Sequence, residues 1–140
     1  MSCDLSDLSQ LKRYTRELID NSKIKHDEGD DDYIDWTIIP FIEKINENPR
    51  LVTTGSCSGH NGYPFIVLVF ADAKAKNHYV YALRKLGLSV VKSDAFRLSY
   101  FVLNFPTTNI TEEYFAGYRR KLTLDESRKL WQELAEILSR

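Results

Sequence analysis

Leu5, Leu8, Leu11, Tyr14 and Leu18 recur at helical spacing, which predicts an amphipathic helix over residues 4 to 20 with Asp4 as its cap. The polar stretch from 21 to 32 reads as a loop. Ile34, Ile38, Ile42 and Ile45 mark a second helical face, and Pro40 fits it if the helix starts near Asp35 or Thr37, with the proline in or near the first turn. Next come a strand at 51 to 54, a loop, and a strand at 64 to 70 that is apolar on both faces and therefore central. Asp72 caps a third helix running to Leu86, with Ala75, Tyr79 and Leu83 inward and Gly87 as its stop. Strands at 88 to 92 and 96 to 105 follow. Two terminal helices then close the chain, their starts marked by capping-box spacing at Asn109 with Glu112 and at Thr123 with Glu126.

This order of elements predicts one domain over residues 1–140, of the α+β class. Its core is β-β-α-β-β with a largely antiparallel or mixed sheet, flanked by N- and C-terminal helices. A crossover through the third helix would make the second and third strands a parallel pair. Hydrophobic residues are 43% of the chain and charged residues 28%, ordinary values for a soluble domain. The longest apolar run is too short to span a membrane and the N-terminus lacks the pattern of a secretory signal, so the expected location is cytoplasmic. Cys3 and Cys57 make no disulfide framework.

Net charge is −1 but unevenly placed. Residues 1–50 hold seven basic and twelve acidic side chains, residues 51–110 six and two, and residues 111–140 six of each. The central segment is the basic one, which suits an anionic ligand as well as it suits a plain solvated face.

That segment also carries the densest chemistry. Between the two central strands, Thr54-Gly55-Ser56-Cys57-Ser58-Gly59-His60 gathers hydroxyls, a thiol and an imidazole on a loop of small residues. Short side chains let a ligand approach the backbone, and glycines permit conformations that turn N–H groups towards an anion. A chain reversal alone needs less, and Asn61-Gly62 already supplies it. Residues 53 to 60 are therefore the candidate site.

Several chemistries are excluded by spacing. The position six residues after Cys57 is Tyr63, not the arginine of a cysteine phosphatase, and Gly59 is followed by His60-Asn61, not by the Lys-Ser or Lys-Thr of a P-loop. Cys57 and His60 with His26 or His78 fall short of a zinc pattern, and the acidic run at 27–32 lacks the alternation of a calcium loop, so no metal is expected. Asp35, a carboxylate at a helix start, either caps the helix or faces a ligand. On the third helix Lys74, His78, Tyr81 and Lys85 share one face, where cations flanking an aromatic suit a phosphate backbone and a stacked base as well as they suit solvent. Arg97 projects from a strand and suits a phosphate or a structural ion pair.

Asp35, Ile45-Asn46 and the loop Thr54-Gly-Ser-Cys-Ser-Gly59 together resemble the family of wybutosine-synthesising protein three, the wybutosine-type tRNA methyltransferases. The resemblance covers residues 33 to 60, and departs from the family at His60, where an arginine is expected. It implies an α+β fold and S-adenosylmethionine-dependent methylation of a hypermodified guanosine in phenylalanine tRNA. Thr54, Gly55, Ser56, Cys57, Ser58 and Gly59 would then bind the cofactor, with His60 and Asp35 catalytic. Lys74, His78, Tyr81, Lys85 and Arg97 would hold the RNA. Two other readings use the same residues: a non-catalytic RNA- or ligand-binding module of this fold, and a thiol-dependent hydrolase built on Cys57 and His60.

Overall fold

The computed structural model describes residues 3–25, 34–59, 61–93 and 112–140. Its best-defined local signals are helix caps. The Asp72 side chain accepts from the Ala75 amide at 2.8 Å, and Gly87 closes the same helix in the left-handed region at φ 109°, a conformation that favours glycine. Between them lies α3 (Ala73–Leu86), whose Ala75, Tyr79 and Leu83 are fully buried. Ahead of it, α1 (Cys3–Lys25) is followed by a 3-10 turn (Trp36–Ile38) and then by α2 (Ile39–Asn46), with Pro40 in the first turn of α2, as its missing N–H requires.

Two strands follow α2, β1 (Leu51–Cys57) and β2 (Phe65–Phe70), and after α3 comes β3 (Ser89–Ser93). The chain ends in β4 (Glu113–Gly117) and α4 (Leu124–Leu138), the latter with a complete capping box between Thr123 and Glu126. Among the described strands the sheet order is β1-β2-β4-β3, and every pairing is antiparallel. The class is α+β with helices flanking the sheet.

Several details differ from the sequence reading. The small-residue segment is not a loop up to residue 57: β1 runs through Cys57, accommodating Gly55 at an irregularity between Thr53 and Gly55. Residues 113–117, expected in a terminal helix, form β4. This strand inserts between β2 and β3, so those two run in the same direction without being neighbours. Helix α1 continues to Lys25, and its buried stripe is Leu8, Leu11, Thr15, Ile19 and Ser22 in place of one through Tyr14 and Leu18, because successive steps of three residues drift around a helix of 3.6 residues per turn. Asp4 accordingly lies within α1, not before it. The expected strand at 96–105, the acidic run at 27–32, His26 and Asn109 lie outside the described residues.

In-register Ile66, Ala116 and Val90 carry one face of the sheet into a core with Ile42 and Ile45 of α2, Tyr79 and Leu83 of α3, and Trp131 and Leu134 of α4. Val52, Val67 and Val69 are buried as well, so β2 is central and apolar on both faces as expected. No helix among the described residues is long and apolar enough to cross a membrane.

Lys12 joins α1 to the end of α2. Its ammonium donates to the carbonyl oxygens of Asn46 at 2.9 Å and Asn48 at 2.7 Å. Burial, and then the neighbouring Arg16, lower its pKa from 10.5 to about 8. Between those two values the unfolded chain holds a proton that the folded chain has released, so stability is expected to rise with pH across that interval, and Lys12 adds no pH dependence below it. Urea titrations at several pH values check this, and Lys12→Met is expected to remove the rise.

Candidate functional site

The side chains of β1 alternate between the two faces of the sheet, and this separates the chemistry that the sequence places side by side. Ser56 pairs with Ile66 and lies on the core side. Cys57 pairs with Phe65, whose ring stacks on Phe115 at 4.9 Å, and so belongs to the opposite face. Thr54 also leaves the cluster, its hydroxyl donating at 2.8 Å to Glu113, a fully buried carboxylate that alternates along β4 with the core-packed Tyr114.

What does converge is Asp35 with Ser58. Asp35 is 6% exposed and caps the 3-10 turn, its Oδ1 accepting from the Thr37 amide at 3.1 Å and the Thr37 hydroxyl at 2.8 Å. Its Oδ2 accepts a short hydrogen bond from the Ser58 hydroxyl just past the end of β1. Both partners are held from behind. The buried Ser22 hydroxyl accepts from the Ile34 amide at 2.8 Å and donates to the Leu18 carbonyl at 2.6 Å, which fixes the approach to Asp35 on α1. Asn46 fixes β1: its Oδ1 accepts from the Thr53 amide and its Nδ2 donates to the Thr53 hydroxyl, each at 3.0 Å.

The loop after Ser58 is set by α4. Gly59 has φ +98°, and a Cβ there would come within 2.7 Å of the Ser127 hydroxyl, so both backbone and space call for glycine. The Leu122 amide donates to the Gly62 carbonyl at 2.7 Å, closing the far side of the loop. Ser127 Oγ and Trp131 Nε1, one turn apart on α4, are buried polar atoms with no hydrogen-bond partner among the described residues.

Of the residues expected at the site, Asp35, Ser56, Ser58 and Gly59 lie at one end of the sheet, whereas Thr54 and Cys57 are turned away from that group. Lys74, His78, Tyr81 and Lys85 are exposed along α3, Tyr81 by 68%. His60 and Arg97 lie outside the described residues. Sequence reasoning missed Ser22 and Glu113. Ser22 falls in the polar stretch at 21–32 that suggests a loop, and Glu113 sits beside Glu112, whose spacing from Asn109 suggests a capping box. The only available signal was the helical spacing that links Ser22 to Leu18.

The family profile described as "Methyltransferase TYW3" matches residues 10–78. That span runs from α1 through β2 and into α3, and it contains Asp35, Asn46 and the Ser56–Gly59 segment. No curated protein and no solved structure gives a significant match. The chain is thus a partial and divergent match to the TYW3 methyltransferase family over this segment.

Proposed function

We propose that the chain is a wybutosine-type, S-adenosylmethionine-dependent methyltransferase-like protein acting on tRNA. The observation that carries the reading is the Asp35–Ser58 hydrogen bond, which unites the two separated pieces of the matched segment at one end of the sheet. The bond also fixes polarity. Ser58 has one proton and gives it to Asp35, so what it presents outward is lone pairs.

Those lone pairs accept from N–H groups. They suit the ammonium end of a methionine moiety better than its carboxylate, and in this sense the residues fit the cofactor. S-adenosylmethionine supplies, when bound, a methyl group on a positively charged sulfur. Asp35, bonded to Ser58, would supply the negative charge that favours a cation there, and Ser58 would accept from its N–H. Ser56, on the same face, adds a second hydroxyl. His60 follows directly on Gly59 and is proposed to orient or deprotonate the acceptor. Alignment supplies most of the acceleration in such a transfer, so no covalent step on the protein is required.

Calorimetric titration with S-adenosylmethionine, followed by transfer of labelled methyl to phenylalanine tRNA, tests the proposal. Saturable binding with label in the tRNA is expected, and neither in a folded protein refutes it. Cys57 is 9% exposed and on the far face, which counts against the thiol hydrolase. Cys57→Ser is accordingly expected to keep kcat/KM within about threefold of wild type. A folded Cys57→Ser protein without activity would revive the thiol enzyme.

A further inference from the structure

At the same end of the sheet, beyond the matched residues, lies an open groove of about 710 Å³ between the turn that follows α3 and the segment that leads from β4 to α4. Three arginines line it, Arg84, Arg119 and Arg120, together with Tyr118 and Ser89. No carboxylate is among the described residues lining it. We propose that this groove is an RNA interface that grips the phosphate backbone of the strand whose base is presented at the end of the sheet that carries Asp35 and Ser58. The proposal rests on the tRNA reading above and specifies where the RNA is held.

The side chains of the groove are pre-positioned. Arg84 donates from Nη2 to the Val90 carbonyl at 2.9 Å, which holds its guanidinium on the groove wall and leaves its other donors available. Tyr118 is pinned by donating to the Leu86 carbonyl at 3.2 Å, and the Arg120 guanidinium lies over its ring at 5.7 Å. Arg120 also pairs with Glu126 at 3.0 Å, a surface contact that leaves part of its fork open. Arg119 is exposed and forms no ion pair among the described residues. Arginine is suited to this task because its planar fork matches phosphate oxygens.

Register supplies the spacing. Cys57, Phe65, Gly117 and Ser89 form one row across the four strands, and Ser58 follows Cys57 while Tyr118 follows Gly117. Three strand spacings separate the outer strands, roughly 14 Å in all, so one RNA strand crossing this end of the sheet reaches both places. Arg84 lies three residues after Tyr81 on α3, a spacing that makes the two surface neighbours and sets the groove beside the exposed face of that helix.

The test measures tRNA binding against salt for the full chain. Replacing Arg119→Gln with Arg120→Gln is expected to weaken binding by about tenfold or more near 0.1 M salt and to reduce the log–log salt slope by about two, one for each phosphate no longer neutralised. S-adenosylmethionine affinity and the melting temperature are expected to stay unchanged. Glu126→Gln keeps a competent capping box while removing the charge beside Arg120, and it is expected to tighten RNA binding. If wild type and the double variant bind tRNA alike with the same slope while cofactor binding persists, the groove assignment is wrong and the tRNA reading stands. Wild type that binds no tRNA at low salt overturns both. Equal affinity for polyglutamate, competing with tRNA, would reassign the groove to acidic peptides.

Discussion

Asp35→Asn is expected to lower affinity for S-adenosylmethionine by about tenfold to a hundredfold without unfolding the protein. Asparagine caps a helix about as well as aspartate, so an Asn carbonyl can replace Oδ1 opposite the Thr37 amide. The amide nitrogen then faces Ser58, and it is a donor. Ser58 must accept from it and turn its own proton outward, so the site presents a donor where it had presented lone pairs. Losing one charge-assisted bond and meeting a mismatched donor costs about 1.5–3 kcal/mol, which is the stated range in affinity. Calorimetry alongside a thermal melt separates the roles. A normal melt with undiminished affinity would leave Asp35 as a helix cap only.

The largest loss of stability is expected from Asn48→Ala, about 3–4 kcal/mol. Asn48 is 4% exposed and uses its whole amide. Its Nδ2 donates to the Tyr79 hydroxyl at 2.7 Å and to the Leu138 carbonyl at 2.8 Å, and its Oδ1 accepts from the Arg50 amide at 2.9 Å. One side chain therefore binds the turn before β1 to α3 and to the end of α4. Alanine removes all three bonds and leaves a hole against the fully buried Tyr79. Equilibrium urea unfolding measures the effect. A change below about 1 kcal/mol would mean that the three groups find other partners on relaxation.

What was legible in the sequence is what local signals decide. The limits of α3 follow from Asp72 and Gly87, which act within a turn of their own positions, and Pro40 places the start of α2 in the same way. Strand β4 was not legible. Glu112 and Glu113 next to Tyr114 and Phe115 satisfy a helix-start pattern locally, and residues 113–117 become a strand because β2 and β3 each pair with them. The pieces of the site were legible as residue types, but not their arrangement. Whether Cys57 joins Ser56 and Ser58 depends on a strand's two-residue period. Asp35 and Ser58 meet only because Ser22 and Asn46 hold their segments from other helices.

The place of β4 between β2 and β3 has a consequence during synthesis. When the ribosome has made the matched span, residues 10–78, the nascent chain owns one hairpin, and the inner edge of β2 has no strand to bond. Adding α3 and β3 does not cure this, because the gap between β2 and β3 is one strand wide. The missing rung becomes available when residues 113–117 leave the exit tunnel, more than forty residues after β2. Until then Ile66, Val67 and Leu68 offer an open apolar edge, a template for pairing with another nascent chain. A fragment cut to the matched span is therefore expected to aggregate, and the nascent chains a chaperone would hold are those whose residues 113–117 are still inside the tunnel.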